Sequence, residues 1–303
     1  MALQLRPLDS SRTNWLYCLG NAWLSARVPL PEFKPLASWL IWADEGVQET
    51  TPQEVLGSLA LEDAGLYLLS SQRGTPQEMF CLADAGPLGY SSLAAHGHAD
   101  ALSFALNVGG VPVIVDPGTY VYHGNPEQRG YFRGTKAHNT VTVDGQDQSV
   151  AEGIFLWGKK AKTSALNWAP APDGGELVAE HDGYTRLEGQ PVHRRTLVLR
   201  GARLEITDQL LGSGSHGLEC RLHFAPWCSL ALDDEGCRAT WNGSKMSIYL
   251  DDRLSWRLAY ADQHAGWYSP GFNAIEPTYT LVGTAKTHLP ATFDTHLEVL
   301  HED

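Results

Sequence analysis

The chain has 303 residues, 43% hydrophobic content and a formal net charge of −13. That charge argues against a nucleic-acid binder, and no run of about 18 or more apolar residues offers a membrane-spanning helix. Five cysteines, an odd number with no Cys-x-x-Cys pair, support neither a disulfide framework nor a zinc–thiolate site and read as buried small hydrophobes.

The length suits one large β domain plus a fragment, or two small domains. The first residues, from Met1 to Ser11, lack the charged-then-apolar pattern of an export signal. Apolar clusters at Asn14 to Leu19 and Ala37 to Trp42 look helical and are broken by Pro29-Leu30-Pro31. Two short helices cannot bury a core alone. Residues 1–50 therefore read as the end of a helical domain or as a packing arm, and Thr51-Pro52 marks the boundary with residues 51–303.

From about Leu56 the pattern turns to strands. Gly65 to Ser70 and Glu78 to Leu82 are separated by a Gly-Thr-Pro turn. Leu102, Phe104, Leu106 and Val108 alternate with Ser103, Ala105 and Asn107, which predicts a strand from Leu102. Gly109-Gly110 is a two-residue hairpin signal, Val111 to Val115 returns as a second strand, and Asp116-Pro117-Gly118 ends it. A further strand is predicted from about His138 to Val143. Beyond residue 150, runs such as His193 to Leu199, Arg203 to Asp208 and Lys245 to Leu250 alternate with turns such as Asp173-Gly174-Gly175 and Asn242-Gly243. Many short strands with glycine-rich turns predict a mainly β protein built as a large antiparallel sandwich.

The densest chemistry lies in His96-Gly97-His98-Ala99-Asp100 and the residues after it, to about Gln148. Imidazoles at His96, His98 and His138 with carboxylates at Asp100 and Asp116 suggest a metal site, an acid/base site, or both. His98, Asp116 and His138 have the donor types zinc takes. A regular hairpin at Gly109-Gly110, however, sets Asp116 opposite Ser103, so a shared metal requires the chain to bend between His98 and Ser103. Without that bend the same histidines are satisfied polar residues near a sheet edge. Arg129, Arg133 and Lys136 form a basic cluster within the acidic shell, and Arg194 with Arg195 a second. Trp157, Trp267 and Tyr268 have the chemistry of sugar platforms, although core packing accounts for most aromatics.

The motifs in this stretch resemble the C-terminal domain of the heparinase II/III-like polysaccharide lyases. The resemblance rests on HGHAD-x3-F, on the segment Gly110 to Tyr120, on Arg129 to Val141, on His181-Asp182-Gly183-Tyr184 with His193-Arg194-Arg195, and on Trp267-Tyr268-Ser269-Pro270. It implies a polysaccharide-lyase supersandwich preceded by a helical toroid, upstream or as a separate chain. It implies β-elimination on a uronic-acid-containing, anionic polysaccharide, with a bound zinc. On that reading His98, Asp116 and His138 hold the zinc, and His96 faces the substrate. His96, Tyr120 and Asn139 are then the catalytic candidates, and Arg129, Arg133 and Tyr131 the substrate-binding ones. Elimination suits these residue types, because the uronate carboxylate must be neutralised before its neighbouring proton can leave. The family resemblance implies a periplasmic or cell-envelope location, whereas the N-terminal residues by themselves leave a cytoplasmic one open. The alternative reading is a non-catalytic carbohydrate-binding or exopolysaccharide-assembly accessory protein with the same sandwich.

Overall fold

The computed structural model describes residues 57–89, 93–262 and 265–300. The chain divides into two units, residues 6–56 and residues 57–303 together with the first five. The helical clusters expected in residues 1–50 lie outside the described residues.

The second unit is built from strands. In chain order these are β1 (Leu59–Leu61), β2 (Leu66–Ser71), β3 (Met79–Asp84), β4 (Phe104–Val108) and β5 (Val111–Ile114). Then come a two-turn helix, α1 (Pro126–Arg133), and β6 (Val141–Val143), β7 (Ala151–Gly153), β8 (Leu156–Trp157), β9 (Thr163–Ala171) and β10 (Gly174–His181). The chain continues through β11 (Val192–Arg200), β12 (Arg203–Leu211), β13 (Ser215–His223), β14 (Ser229–Asp233), β15 (Gly236–Trp241) and β16 (Ser244–Leu250). It ends with β17 (Ser255–Tyr260), β18 (Trp267–Gly271), β19 (Ala274–Pro277), β20 (Tyr279–His288) and β21 (Ala291–Leu300).

Strands β1 to β5 form one antiparallel sheet in sequence order, and β17-β20-β13-β6 form a second. A bridge between Ile114 and Phe224, flanked by Val115 N–H to His223 O at 2.9 Å, joins the edge of the first to the end of the second. Facing them is an eight-stranded sheet in the order β14-β15-β16-β21-β12-β11-β10-β9. Leu69, Met79, Phe104 and Ile114, Phe224 and Leu281, and Leu197, Ile206 and Leu297 from the three sheets belong to one buried cluster. The architecture is thus the predicted antiparallel sandwich, its core filled by the inward residues of both layers. Each fully buried Leu or Phe contributes about 1.5–3 kcal/mol to holding the layers together.

The local signals explain most elements. Along β11 and β12 exposure alternates with period 2, so His193, Arg195, Leu197 and Leu199 share the inner face with Leu204, Ile206, Asp208 and Leu210. Asn242 and Gly243 both take positive φ, 45° and 83°, as a tight turn between β15 and β16 requires. The described cysteines, Cys81, Cys220, Cys228 and Cys237, are free thiols, each pushed up to about 12 by burial.

Three local expectations change. The strand predicted from Leu102 starts at Phe104, because Leu102 sits at φ 60°. The strand predicted from His138 starts at Val141. The β4–β5 hairpin is not regular: Val108 pairs with Val111 and Asn107 with Pro112, but Leu106 pairs with Ile114 across a bulge. Pro112 has no N–H to give the ladder, and a bulge accommodates it. The insertion moves Asp116 one residue away from the register that would set it opposite Ser103.

Candidate functional site

Two segments outside the sheets meet at one end of the five-stranded sheet. The first runs from Leu93 to Ser103 and doubles back on itself. Ala94 takes φ 49° and its carbonyl accepts from Gly97 N–H at 2.8 Å. A Cβ at Gly97 would lie only 3.0 Å from Leu88 and 3.1 Å from the Gly89 nitrogen, so the loop closes this tightly because residue 97 has none. Ala99 N–H donates to Arg133 O at 2.8 Å, which docks the loop on the last turn of α1. The consequence is a split. An extended strand would point residues 96 and 98 the same way; here His96 is exposed and His98 is 1% exposed.

The second segment is α1 and the stretch to Thr140. Alternation does not reveal this helix, yet its caps are in the sequence. The Asn125 side chain accepts from Gln128 N–H at 3.1 Å, Pro126 begins the helix, and Gly134 ends it. The helix buries Arg129, Phe132 and Arg133 and delivers His138 to the interior.

The structure brings His98, Asp100 and His138 together, one donor atom from each lying within 4.8 Å of the others. Asp116 stands behind His138: its Oδ2 is 2.7 Å from His138 Nδ1, and its Oδ1 accepts from Gly118 N–H at 2.9 Å. The Nδ1 proton of His138 is thereby directed at Asp116, and Nε2 is left as a buried atom without a hydrogen-bond partner. His98 Nδ1 is buried and unpartnered too, while its Nε2 lies 3.4 Å from an Arg129 N–H. Burial, with the charges of His138 and Arg129 nearby, holds His98 well below the ordinary histidine range, which keeps it neutral. His138 is raised: burial works against it, but the Asp116 charge and hydrogen bond outweigh that. Burial raises Asp100, and burial together with Asp100 lifts Asp84 to about 7.

Arg129, 2% exposed, is the largest of the fully buried side chains among the described residues. Its Nε and Nη2 have no partner, and no carboxylate pairs with it among the described residues. Its guanidinium lies 4.9 Å from the ring centre of Tyr122. Tyr122 in turn contacts His96, with ring centres 5.2 Å apart. Tyr120 is half-buried against Phe132 and holds φ 58°, a conformation costing a bulky residue about 1–3 kcal/mol and typical of functional loops. Tyr131 is half-buried, and its hydroxyl is buried without a partner and pushed up to about 12 by burial.

Two of the sequence candidates are committed elsewhere. Asn139, one of the catalytic candidates, is 1% exposed. Its Nδ2 donates to Phe104 O and Val115 O at 2.8 and 2.9 Å, and its Oδ1 accepts from His223 N–H at 2.7 Å. Such an amide clamps β4, β5 and β13 and has nothing left for a ligand. Arg133 gives Nη1 to Gly153 O and Ile154 O at 2.7 and 2.9 Å and stacks on Trp157 at 5.0 Å. Trp157 is itself buried, with Nε1 donating to Gly97 O at 3.1 Å, and Tyr268 is buried in the main core. Neither aromatic is a sugar platform.

Beneath the site lies a network the motif His193-Arg194-Arg195 announces but does not explain. Arg195 forks onto Asp208 through Nε and Nη2 at 2.7 and 2.9 Å, and its Nη1 donates to Leu102 O at 2.8 Å and to Asn139 O. It thus ties both site segments to the eight-stranded sheet. Counting back around the Gly201-Ala202 turn pairs Arg195 with Asp208, so this contact was available in the sequence.

Residues 55–295 match the family model described as heparinase II/III-like, C-terminal. A heparin-sulfate lyase of Bacteroides stercoris is 26% identical over 175 residues, which cover 56% of this chain and 23% of that protein. The crystal structure of the heparan sulfate lyase HepC from Pedobacter heparinus aligns with a TM-score of 0.72 at 18% identity, over 95% of this chain and 41% of that one. A heparinase III structure, the BT4657 gene product, aligns at 0.67 and 19% identity, over 87% of this chain and 40% of that one. The two structures share the fold, and the chain spans less than half the length of each of these relatives. By its matched family model, the chain belongs to the heparinase II/III-like C-terminal domain family.

Proposed function

We propose that this chain is the sandwich module of a polysaccharide lyase that cleaves a uronic-acid-containing polysaccharide by β-elimination. The observation that carries this reading is an exposed imidazole, His96, joined through Tyr122 to a buried arginine, Arg129, with unsatisfied N–H groups. In the elimination a base removes the C5 proton. The released electron pair forms the C4–C5 double bond, the C4–O4 bond breaks, and O4 takes a proton. Negative charge builds on the uronate carboxylate as the proton leaves, so cations fixed near it lower the barrier. His96 supplies the contact to the carboxylate, and Arg129 supplies positive potential from beneath it. Tyr120, held ready by its strained backbone, protonates O4. A helical domain, upstream or separate, supplies the base from the other side of the sugar.

Zinc fits the buried cluster. The orphaned His98 Nδ1 and His138 Nε2, and the Asp100 carboxylate within reach of both rings, are the donor set such an ion takes. The resemblance gives the carboxylate position to Asp116. The geometry supports Asp100 as the ligand, with Asp116 orienting His138 through Nδ1. When bound, the ion supplies fixed positive charge and anchors the loop that carries His96. The module belongs in the periplasm or cell envelope, where such polymers are met, and cell fractionation tests that placement.

The test is the ultraviolet absorbance of the unsaturated product on heparosan, heparan sulfate and alginate, for this chain alone and with a helical domain restored. Turnover is expected to be weak or absent alone and robust with the added domain. His96→Ala should abolish cleavage and keep its zinc. Full cleavage by His96→Ala would overturn the assignment, and binding without cleavage under all conditions would favour the accessory-protein reading.

A further inference from the structure

We propose that Phe155 and Phe272 form a platform for the apolar face of a pyranose ring beside the uronate. The proposal rests on the polysaccharide reading above and assigns it two binding residues. The two phenylalanines come from hairpins more than a hundred residues apart, the β7–β8 turn and the β18–β19 turn. Both reach Tyr122: Phe272 lies 5.0 Å from its ring centre and Phe155 5.7 Å. Phe155 also lies 6.0 Å from His96. Phe272 is 59% exposed, and Phe155 is half-buried beside Ile154, which is 44% exposed. One exposed aromatic means little; an exposed and a half-buried phenylalanine that converge from separate hairpins on one ring beside a polar site mark a binding surface.

Each hairpin is fixed to the site rather than merely near it. Arg133 holds the β7–β8 turn by the carbonyls of Gly153 and Ile154. In the other hairpin Asn273 N–H donates to Tyr120 O at 3.0 Å, and Ser269 N–H to Pro117 O at 2.7 Å. The platform is therefore positioned by the same loops that carry Tyr120 and the metal-site residues, so little ordering entropy is lost on binding. Its chemistry selects the occupant. Neutral rings offer nothing to a carboxylate, whereas the C–H face of a sugar packs on them as any apolar surface does. His96 and Arg129 read the charge; Phe155 and Phe272 read the ring next to it.

The experiment is calorimetric titration with heparosan and alginate tetrasaccharides and with their carboxyl-reduced counterparts. Phe155→Ala and Phe272→Ala should weaken acid and reduced forms alike by about threefold to tenfold, the size of one aromatic contact. Phe272→Trp should restore binding, and His96→Ala should weaken the acid form alone. Unchanged affinity in both phenylalanine variants, with the wild-type protein binding normally, would overturn the platform and leave the lyase reading intact. Phenylalanine-dependent binding that ignores the carboxyl group would keep the platform and sink the uronate reading. No binding of any tetrasaccharide, or a self-association that Phe272→Ala abolishes, would show that the patch serves something other than sugar.

Discussion

Two buried histidine–aspartate clusters lie among the described residues of this domain, and they differ in whether their hydrogen bonds close. In the scaffold cluster, Gly183 N–H donates to His181 Nδ1 at 3.1 Å, and His181 Nε2 lies 3.3 Å from His193 Nδ1. His193 Nε2 then meets Asp208 at 2.7 Å, and Arg195 forks onto the same carboxylate. Every ring nitrogen has a partner, and the chain of donors fixes both tautomers. Burial drives both histidines below their usual range, so they stay neutral, while Arg195 and His193 outweigh burial to hold Asp208 far below the usual carboxylate range. The site cluster has the same residue types and comparable burial, yet leaves His98 Nδ1, His138 Nε2 and two Arg129 nitrogens with no partner. Orphaned buried polar atoms are costly and rare. Where they cluster, a ligand is the economical explanation; where all are satisfied, structure is.

The contrast is open to direct attack, beginning with its largest expected effect. Arg195→Met leaves Asp208 buried without its ion pair and frees the carbonyls of Leu102 and Asn139, so it should cost about 3–5 kcal/mol in urea unfolding, with or without metal. A cost under about 1 kcal/mol would show that the scaffold network is not what holds the site segments together. His98→Ala should behave oppositely: bound zinc, measured by mass spectrometry, is lost, while metal-free stability falls by about 1 kcal/mol, because the one hydrogen bond removed, with Arg129 Nη1 at 3.4 Å, is long. A large loss in the metal-free protein would place His98 among the structural histidines. The two carboxylates then separate by degree. Asp100→Asn should abolish zinc binding, whereas Asp116→Asn should weaken it about 10–100-fold, as expected of a residue acting through His138. The reverse order would return Asp116 to the ligand set.

The smallest effect concerns a third pair, a buried histidine and an exposed aspartate. His216 Nδ1 lies 2.8 Å from Asp144 Oδ2 and Nε2 lies 3.1 Å from Ser213 O. Burial opposes protonation, but these two partners outweigh it and raise His216 above its ordinary 6.5, while His216 and Gly217 N–H lower Asp144 below 3.8 against the opposing effect of burial. The raised histidine stabilises the fold fully below pH 6.5 and loses that contribution as pH rises through its folded value. The lowered aspartate contributes above pH 3.8 and fails as pH falls through its own folded value. With the Asp144 side chain 42% exposed, solvent limits the pair to under about 1 kcal/mol. The stability difference between wild type and His216→Gln should therefore shrink as pH rises above 6.5; a constant difference would remove the charge from the account.

The sandwich is legible in the sequence alone. Period-2 alternation places Leu197, Leu199, Leu204 and Ile206 on one face of β11 and β12 because side-chain direction in a strand is a local property, and Asn242-Gly243 sets its turn for the same reason. The sequence also located the chemistry within residues 96–138, since the residue types carry it. Which histidine faces out and which is buried is set by the folded chain. That depends on positive φ at Ala94 and Leu102 and on the close approach at Gly97, which no spacing rule encodes. The tertiary structure alone set Asp100 beside His98 and His138, with Asp116 hydrogen-bonded behind His138, and gave Asn139 to the backbone rather than to a ligand. It alone brought Phe155 and Phe272 to one ring of Tyr122. Alternation is read along a chain; convergence of residues a hundred apart is set by how the layers pack, and packing is a property of the whole core.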